Sequence, residues 1–253
     1  NILDKKIIKN LKINRKKISN QSINFKQNKE KIKKLEKIVV KGFHGLSIDS
    51  RTIKKNNIFL TIQGKNNNGV KFVSEALKKG GKYIVSSKNI KKYKTRIIKV
   101  DDEFNFLNYF ASQKRKKSRA KIIAVTGSAG KTSLKNLIKD QLDSFGKTFC
   151  SPKSFNNYLG VPLSLSQLNT NHKFAVFEVG MSKAGEIHSL SKLIKPHIGI
   201  ITNIGEAHIE NFKNLNGIAK AKGEIINNIQ KNGTLILNRD DKYFDYFKKR
   251  AKF

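Results

Sequence analysis

The stretch Ile122-Ile123-Ala124-Val125-Thr126-Gly127-Ser128-Ala129-Gly130-Lys131-Thr132-Ser133 decides how the rest of the chain is read. Residues 122–125 are apolar and mostly β-branched, as in a buried strand. Residues 127–132 read as a loop, and residues 133–142 as the helix it opens. Glycines let such a backbone bend so that its N–H groups converge on phosphate oxygens, and a helix N-terminus adds positive potential. Lys131 can reach the outer phosphates and Thr132 can ligate Mg²⁺. Val125 stands where the full G-x-x-x-x-G-K-[ST] pattern has its first glycine. A glycine turn that merely starts a helix is the plain alternative, but Gly-Lys-Thr between an apolar strand and a helix favours a nucleotide, ATP or GTP.

Outward from the loop, apolar runs recur at residues 175–179, 198–202 and 234–237, with helical spacing between them. This alternation predicts an α/β unit with a mainly parallel sheet covered on both faces. An earlier, smaller α/β unit is read from strands at 58–62, 83–85 and 97–100. Phe72, Ala76 and Leu77 line a helix that Gly80 and Gly81 end, and Asp101 or Asp102 caps a second helix. The basic run 114–119 reads as the boundary. The expected organisation is a Lys/Asn/Ile-rich leader over 1–36, an N-terminal domain over 37–118 and a P-loop domain over 119–253.

The net charge of +35 first suggests nucleic acid. The basic residues are spread along the chain, few aromatics interleave, and Lys, Ile and Asn rise together as A/T-rich codons would make them. No specific nucleic-acid partner is therefore expected. Cys150 is the single cysteine, which excludes an intrachain disulfide and a cysteine metal cluster and fits a reducing cytoplasm. No apolar run reaches the ~18 residues of a membrane span, and no secretory signal is visible.

Further segments follow the phosphate loop in a telling order. They are residues 151–163 with Asn156-Asn157, Glu178-Val179-Gly180-Met181 after a strand, and residues 202–212 with Glu206-Ala207-His208-Ile209-Glu210-Asn211-Phe212. Then come residues 217–225 with Ala221-Lys222-Gly223-Glu224-Ile225, and Leu237-Asn238-Arg239-Asp240-Asp241. Taken singly, Glu178 could be a solvated carboxylate, His208 a satisfied loop histidine, and Lys222 or its neighbour Lys220 a solvated lysine. His44, His172, His188 and His197 have no such context and read as structural or surface residues. Taken together, and with the T-G-x-x-G-K-T loop, residues 38–253 resemble the Mur ligase family, which also includes folylpolyglutamate synthase.

The resemblance implies an ATP-dependent, Mg²⁺-dependent amide ligase. Gly127, Ser128, Ala129, Gly130, Lys131, Thr132, Ser133 and Asn238 would bind ATP. Thr132, Glu178, His208 and a carbamylated Lys222 would hold the metal. Lys131, Lys222 and His208 would be catalytic. Ile48-Asp49-Ser50-Arg51 and Asn57-Ile58-Phe59-Leu60 resemble the family's uridine-nucleotide domain, so Ser50 and Arg51, with Asn156 and Asn157, would meet the substrate. A salt-bridged strand end is the plain alternative for Arg51. Asn68-Gly69-Val70 departs from the acidic stretch common there. The His208 and Lys222 segments resemble the branch that adds D-alanyl-D-alanine to UDP-N-acetylmuramoyl-tripeptide through an acyl phosphate. A monomer is expected, and a fragment lacking the C-terminal domain, with little ligation on its own. The competing readings are a sister ligase adding a diamino acid, a P-loop ATPase acting on nucleic acid, and a non-catalytic nucleotide-binding fragment.

Overall fold

The structure, a computed structural model, describes residues 45–64 and 68–251. The expected leader over 1–36 and His44 lie outside the described residues. Two compact units part between Gln113 and Lys114, at the start of the basic run. The cut falls slightly before the 118/119 boundary read from the sequence, within a single helix.

In the first unit, parallel strands β1 (Leu46–Ser47), β2 (Ile58–Leu60), β3 (Tyr83–Ser86) and β4 (Ile97–Lys99) lie side by side in chain order. Helix α1 (Val73–Lys78) follows β2, and α2 (Glu103–Lys117) follows β4. Phe59 and Ile84 share one apolar cluster with Val73, Ala76 and Leu77, whereas Phe72, expected on the same face, precedes α1 and is exposed. Gly80, at φ +100°, turns the chain after α1, and the Gly81 N–H closes the helix end on Ala76 O at 2.9 Å. Asp102 caps α2, its Oδ1 accepting from the Asn105 N–H at 2.8 Å.

The second unit runs β5 (Lys121–Thr126), α3 (Lys131–Asp143), β6 (Thr148–Cys150), α4 (Gly160–Ser166), β7 (Phe174–Glu178), α5 (Glu186–Ile194), β8 (Ile198–Ile201), α6 (Leu215–Gly223), β9 (Thr234–Leu237) and α7 (Phe244–Arg250). The sheet order is β6-β7-β5-β8-β9, with every pairing parallel. Ile123, Val125, Val176 and Ile200 form one cluster with Leu134, Ile138 and Leu142, spaced four apart on α3. Alternation along β5 sends Ile122 and Ala124 to the opposite face, and α5, with Ile187, Leu190 and Ile194 buried, lies against that strand. Helix α3 begins at Lys131, two residues before the expected start. Gly130, at φ +76°, turns the chain there, and the Leu134 N–H already closes on Gly130 O at 2.9 Å. Arg115 in the basic run is structural: its guanidinium donates to Ile194 O and Lys195 O at the end of α5.

Because the strands are parallel, β5, β7 and β8 all deliver their C-terminal ends to one edge, where open α/β sheets bind ligands. The strand order changes direction across β5, so the loop after β5 sits between the ends of β7 and β8.

Candidate active site

The loop between β5 and α3 is held by its neighbours rather than by itself. The Ser128 N–H donates to Asn203 O at 2.9 Å, and the Ala129 N–H to Asn203 Oδ1 at 2.9 Å. Ser128 Oγ accepts from the Gly205 N–H at 2.8 Å and donates to Gly205 O at 3.0 Å. Thr202 Oγ1 donates to Ala129 O at 2.7 Å. Gly127, at φ +148°, permits this approach, since a Cβ there would fall 1.8 Å from Thr202 Oγ1. The first-turn N–H groups of α3, which lack acceptors within the helix, point out of its N-terminus. Gly130 at the cap has no side chain to cover them.

Two lysines converge on one carbonyl of the loop. Lys131 Nζ donates to Gly127 O at 2.7 Å and to Ser128 O at 3.1 Å. Lys222, from α6, is 2% exposed and donates to the same Gly127 O at 3.0 Å. Burial, with the Lys131 charge beside it, brings the Lys222 amine down to about 7. Burial also lowers Lys131, partly opposed by the Glu178 carboxylate.

At the end of β7, Glu178 is 1% exposed and fully engaged. Its Oε2 accepts from Thr132 Oγ1 at 2.7 Å, and its Oε1 from Asn156 Nδ2 at 2.7 Å. The Lys135 amine lies 3.7 Å from Oε2. The absence of a side chain at Gly180 makes room for Asn156, because a Cβ there would stand 2.9 Å from Asn156 Cγ. Thr132 and Glu178 thus form an adjacent pair of oxygen donors, which suits a hard cation such as Mg²⁺. Among the described residues no group of three or more His, Cys, Asp or Glu side chains could hold a metal. Such a sparse donor set suits an ion completed by phosphate oxygens and water.

The remaining expected residues are placed less centrally. His208, at φ +68°, has its side chain 47% exposed, with Nδ1 3.9 Å from Glu210 Oε1. No hydrogen bond or ion pair joins it to Thr132, Glu178 or Lys222. Asn157 Oδ1 caps α4, accepting from the Leu159 and Gly160 N–H groups at 3.1 and 2.9 Å. Asn238 is exposed, and its Oδ1 accepts from the Asp240 N–H at 3.0 Å. Ser133 is exposed on the first turn of α3. In the first unit, Ser50 is buried and donates to Glu75 Oε2 at 2.7 Å. Arg51 grips Asp49 with two bonds, Nε to Oδ1 at 2.9 Å and Nη2 to Oδ2 at 2.7 Å, which holds the Asp49 carboxyl below its ordinary value.

Sequence reasoning missed Lys135, and it gave no role to Ser151 and Asp241 within the segments it selected. Lys135 Nζ donates to Ser151 O at 2.8 Å and Lys153 O at 2.5 Å. Ser151 Oγ accepts from the Glu178 N–H at 3.2 Å. Asp241 Oδ2 accepts from the Ile204 N–H at 2.7 Å, tying the turn after β9 to the segment that holds the phosphate loop. The spacing of Lys131 and Lys135, one helical turn apart, was the available signal for the first of these.

Two family descriptions and several solved structures match this chain. The Mur ligase middle domain matches residues 125–253, and the Mur ligase family catalytic domain matches residues 42–115. The chain is 39% identical over 201 residues to the UDP-N-acetylmuramoyl-tripeptide--D-alanyl-D-alanine ligase of Rickettsia prowazekii, covering 79% of this chain and 44% of that protein. It superposes on the crystal structure of MurF from Acinetobacter baumannii with a TM-score of 0.73 and 31% identity, over 81% of this chain and 46% of that one. With the MurF ligase from Thermotoga maritima in complex with ADP, the TM-score is 0.71 at 26% identity, over 85% and 48%. The chain therefore spans about half the length of the relatives it matches. With the middle domain matched over half of its length, the chain belongs to the Mur ligase family.

Proposed function

We propose that this chain carries the substrate- and ATP-binding machinery of a ligase that joins D-alanyl-D-alanine to UDP-N-acetylmuramoyl-tripeptide. The observation that carries the reading is the convergence of Lys131, Thr132, Glu178 and Lys222 around one phosphate loop. The relatives named as D-alanyl-D-alanine ligases support the choice of branch over a sister ligase adding a diamino acid. Residues 37–118 take the uridine nucleotide through Ser50 and Arg51, and residues 119–253 take ATP. The chain acts as a monomer in the cytoplasm, a placement that rests on its single cysteine.

In the reaction, an oxygen of the tripeptide carboxylate bonds to the γ-phosphorus of ATP and ADP leaves. The free amine of D-alanyl-D-alanine then attacks the acyl carbon and phosphate leaves, with loss of one ammonium proton. A carboxylate and a triphosphate repel each other, so alignment and charge neutralisation supply most of the acceleration. The α3 N–H groups and Lys131 bind the phosphates, Lys131 exchanging its contacts with Gly127 O and Ser128 O for phosphate oxygens. Thr132 and Glu178 would hold a Mg²⁺ ion, which would supply charge neutralisation when bound. Lys222 fits carbamylation, in which the neutral amine bonds to the carbon of carbon dioxide and releases one proton, since an amine titrating at about 7 is substantially neutral and nucleophilic near that pH. The resulting anion suits a second cation where an ammonium repels it. His208 fits that second site less well, being exposed beside Glu210, and no step is assigned to it.

Titration of the purified chain with Mg-ATP, with UDP-N-acetylmuramoyl-tripeptide and with single-stranded DNA tests the reading. Saturable binding of both nucleotides, with DNA binding that vanishes at moderate salt, is expected. Tight DNA binding with no response to the sugar nucleotide overturns it.

A further inference from the structure

Lys135 is an expensive residue where it stands. It is 1% exposed, on the sheet-facing side of α3, where an apolar side chain would avoid desolvating a charge. Its position follows from the helix: it lies three residues after Thr132 and four after Lys131, so it shares the face that carries the phosphate-binding groups.

Three oxygens surround its amine. Two donors go to the carbonyls of Ser151 and Lys153, at 2.8 and 2.5 Å, and its charge stands 3.7 Å from Glu178 Oε2. Those carbonyls belong to the segment that leads out of β6, where Lys153 adopts a left-handed φ of +47°. The same segment touches Glu178 at two points. Ser151 Oγ accepts from the Glu178 N–H at 3.2 Å, and Asn156, whose O accepts from the Gly180 N–H at 2.7 Å, donates Nδ2 to Glu178 Oε1.

We infer that Lys135 is a positioning residue: one buried amine fixes the Ser151–Asn156 segment and so aims Asn156 and Glu178 at the site beside Thr132. The inference rests on the ligase reading for its meaning, though not for its geometry. A neutral or shorter donor leaves two carbonyls short of a partner and Glu178 without its cation. The segment then loosens, and the Glu178 carboxylate is no longer held where a cation shared with Thr132 needs it.

The test compares the 253-residue chain with its Lys135→Gln variant in two measurements. Amide hydrogen exchange at Glu178 and Gly180 is expected to accelerate about tenfold in the variant, while Ile123 and Ala124 in β5 keep their protection. Binding of a fluorescent ADP is then followed with and without Mg²⁺. The Mg²⁺ concentration giving half its effect is expected to rise about tenfold, with Mg²⁺-free affinity changed less than about twofold. Unchanged exchange at both amides overturns the inference, as does acceleration spread evenly over the sheet. A parallel loss of Mg²⁺-free and Mg²⁺-dependent binding overturns it too. If the unmodified chain binds no nucleotide under either condition, the phosphate-loop reading fails instead, and the exchange data alone still decide the role of Lys135. Should the glutamine variant not fold, Lys135→Arg, which keeps the charge but moves the donors, is held to the same exchange criterion.

Discussion

Lys131 and Lys222 place their amino groups on one carbonyl oxygen, that of Gly127, at 2.7 and 3.0 Å. Two amines this close cannot both carry a full charge in a buried setting without cost, and the more buried of them, Lys222, yields. Its value of about 7 is owed first to burial and then to the Lys131 charge beside it. Whatever draws Lys131 away from Gly127 changes the conditions under which Lys222 is neutral.

Lys222 makes stability depend on pH in a defined direction. Between its folded value of about 7 and its ordinary 10.5, the unfolded chain binds more protons at this site than the folded chain. Stability from this group therefore rises with pH across that window and is lowest below it. Relative to Lys222→Met, the wild-type chain should gain up to about 1.4 kcal/mol per pH unit across it. Urea unfolding of both proteins through the window reads the difference, and a constant offset would show that burial does not depress this amine.

Removing the neighbouring charge should relieve Lys222 in part. In Lys131→Met the Lys222 amine moves up from about 7, though burial, the larger cause, keeps it below 10.5. Carbon-13 shifts of reductively methylated lysine report the titration directly. An unmoved midpoint contradicts the pairing at Gly127.

Gly127→Ala drives a Cβ into Thr202 Oγ1 at a φ of +148°. The strain costs about 1–3 kcal/mol and expels either the loop or Thr202. Mg-ATP affinity should fall roughly 100-fold, while circular dichroism keeps its helical and strand signal. Isothermal titration measures the loss, and affinity within about threefold of wild type would mean that the loop tolerates a side chain there.

Gly180→Ala tests the room given to Asn156. The new Cβ displaces the Asn156 amide from Glu178 Oε1, and about a tenfold loss of Mg²⁺-dependent nucleotide affinity is expected. Asn156→Ala should lose as much, and the double variant little more, because both remove the same contact. Fully additive losses argue that Gly180 acts elsewhere.

Arg51→Ala separates binding from stability in the first unit. The Arg51–Asp49 pair is half exposed on the arginine side, so its loss should cost less than about 1 kcal/mol in urea unfolding. Affinity for UDP-N-acetylmuramoyl-tripeptide should drop about tenfold if the planar donors meet the diphosphate. Unchanged affinity leaves Arg51 as a strand-end ion pair.

Much of this arrangement was legible in the residues. The apolar run before Gly127 and the Gly-Lys-Thr after it gave the strand, the loop and the helix, because period and glycine placement are local properties. Glu178 could be placed because it ends a strand of a parallel sheet. Lys135 could not, since a buried lysine on a helix looks like any other in a chain with 53 Lys and Arg residues, and its burial depends on Ser151 and Lys153 returning from β6. Strand β6 itself is three residues long, too short for alternation to register. His208 was selected by its motif, yet its left-handed backbone and exposure depend on how the chain after β8 turns, which no local pattern reports.

The Asn203–Gly205 segment is bonded on one side to Ser128 and Ala129 and on the other to Asp241. Three turns after three different strands are thereby yoked into a single mechanical linkage. A force or a partner acting on the turn after β9 would be felt at the phosphates without touching them. Conversely, an occupied phosphate loop would steady the Asn203–Gly205 segment and, through the Ile204 N–H, Asp241 as well.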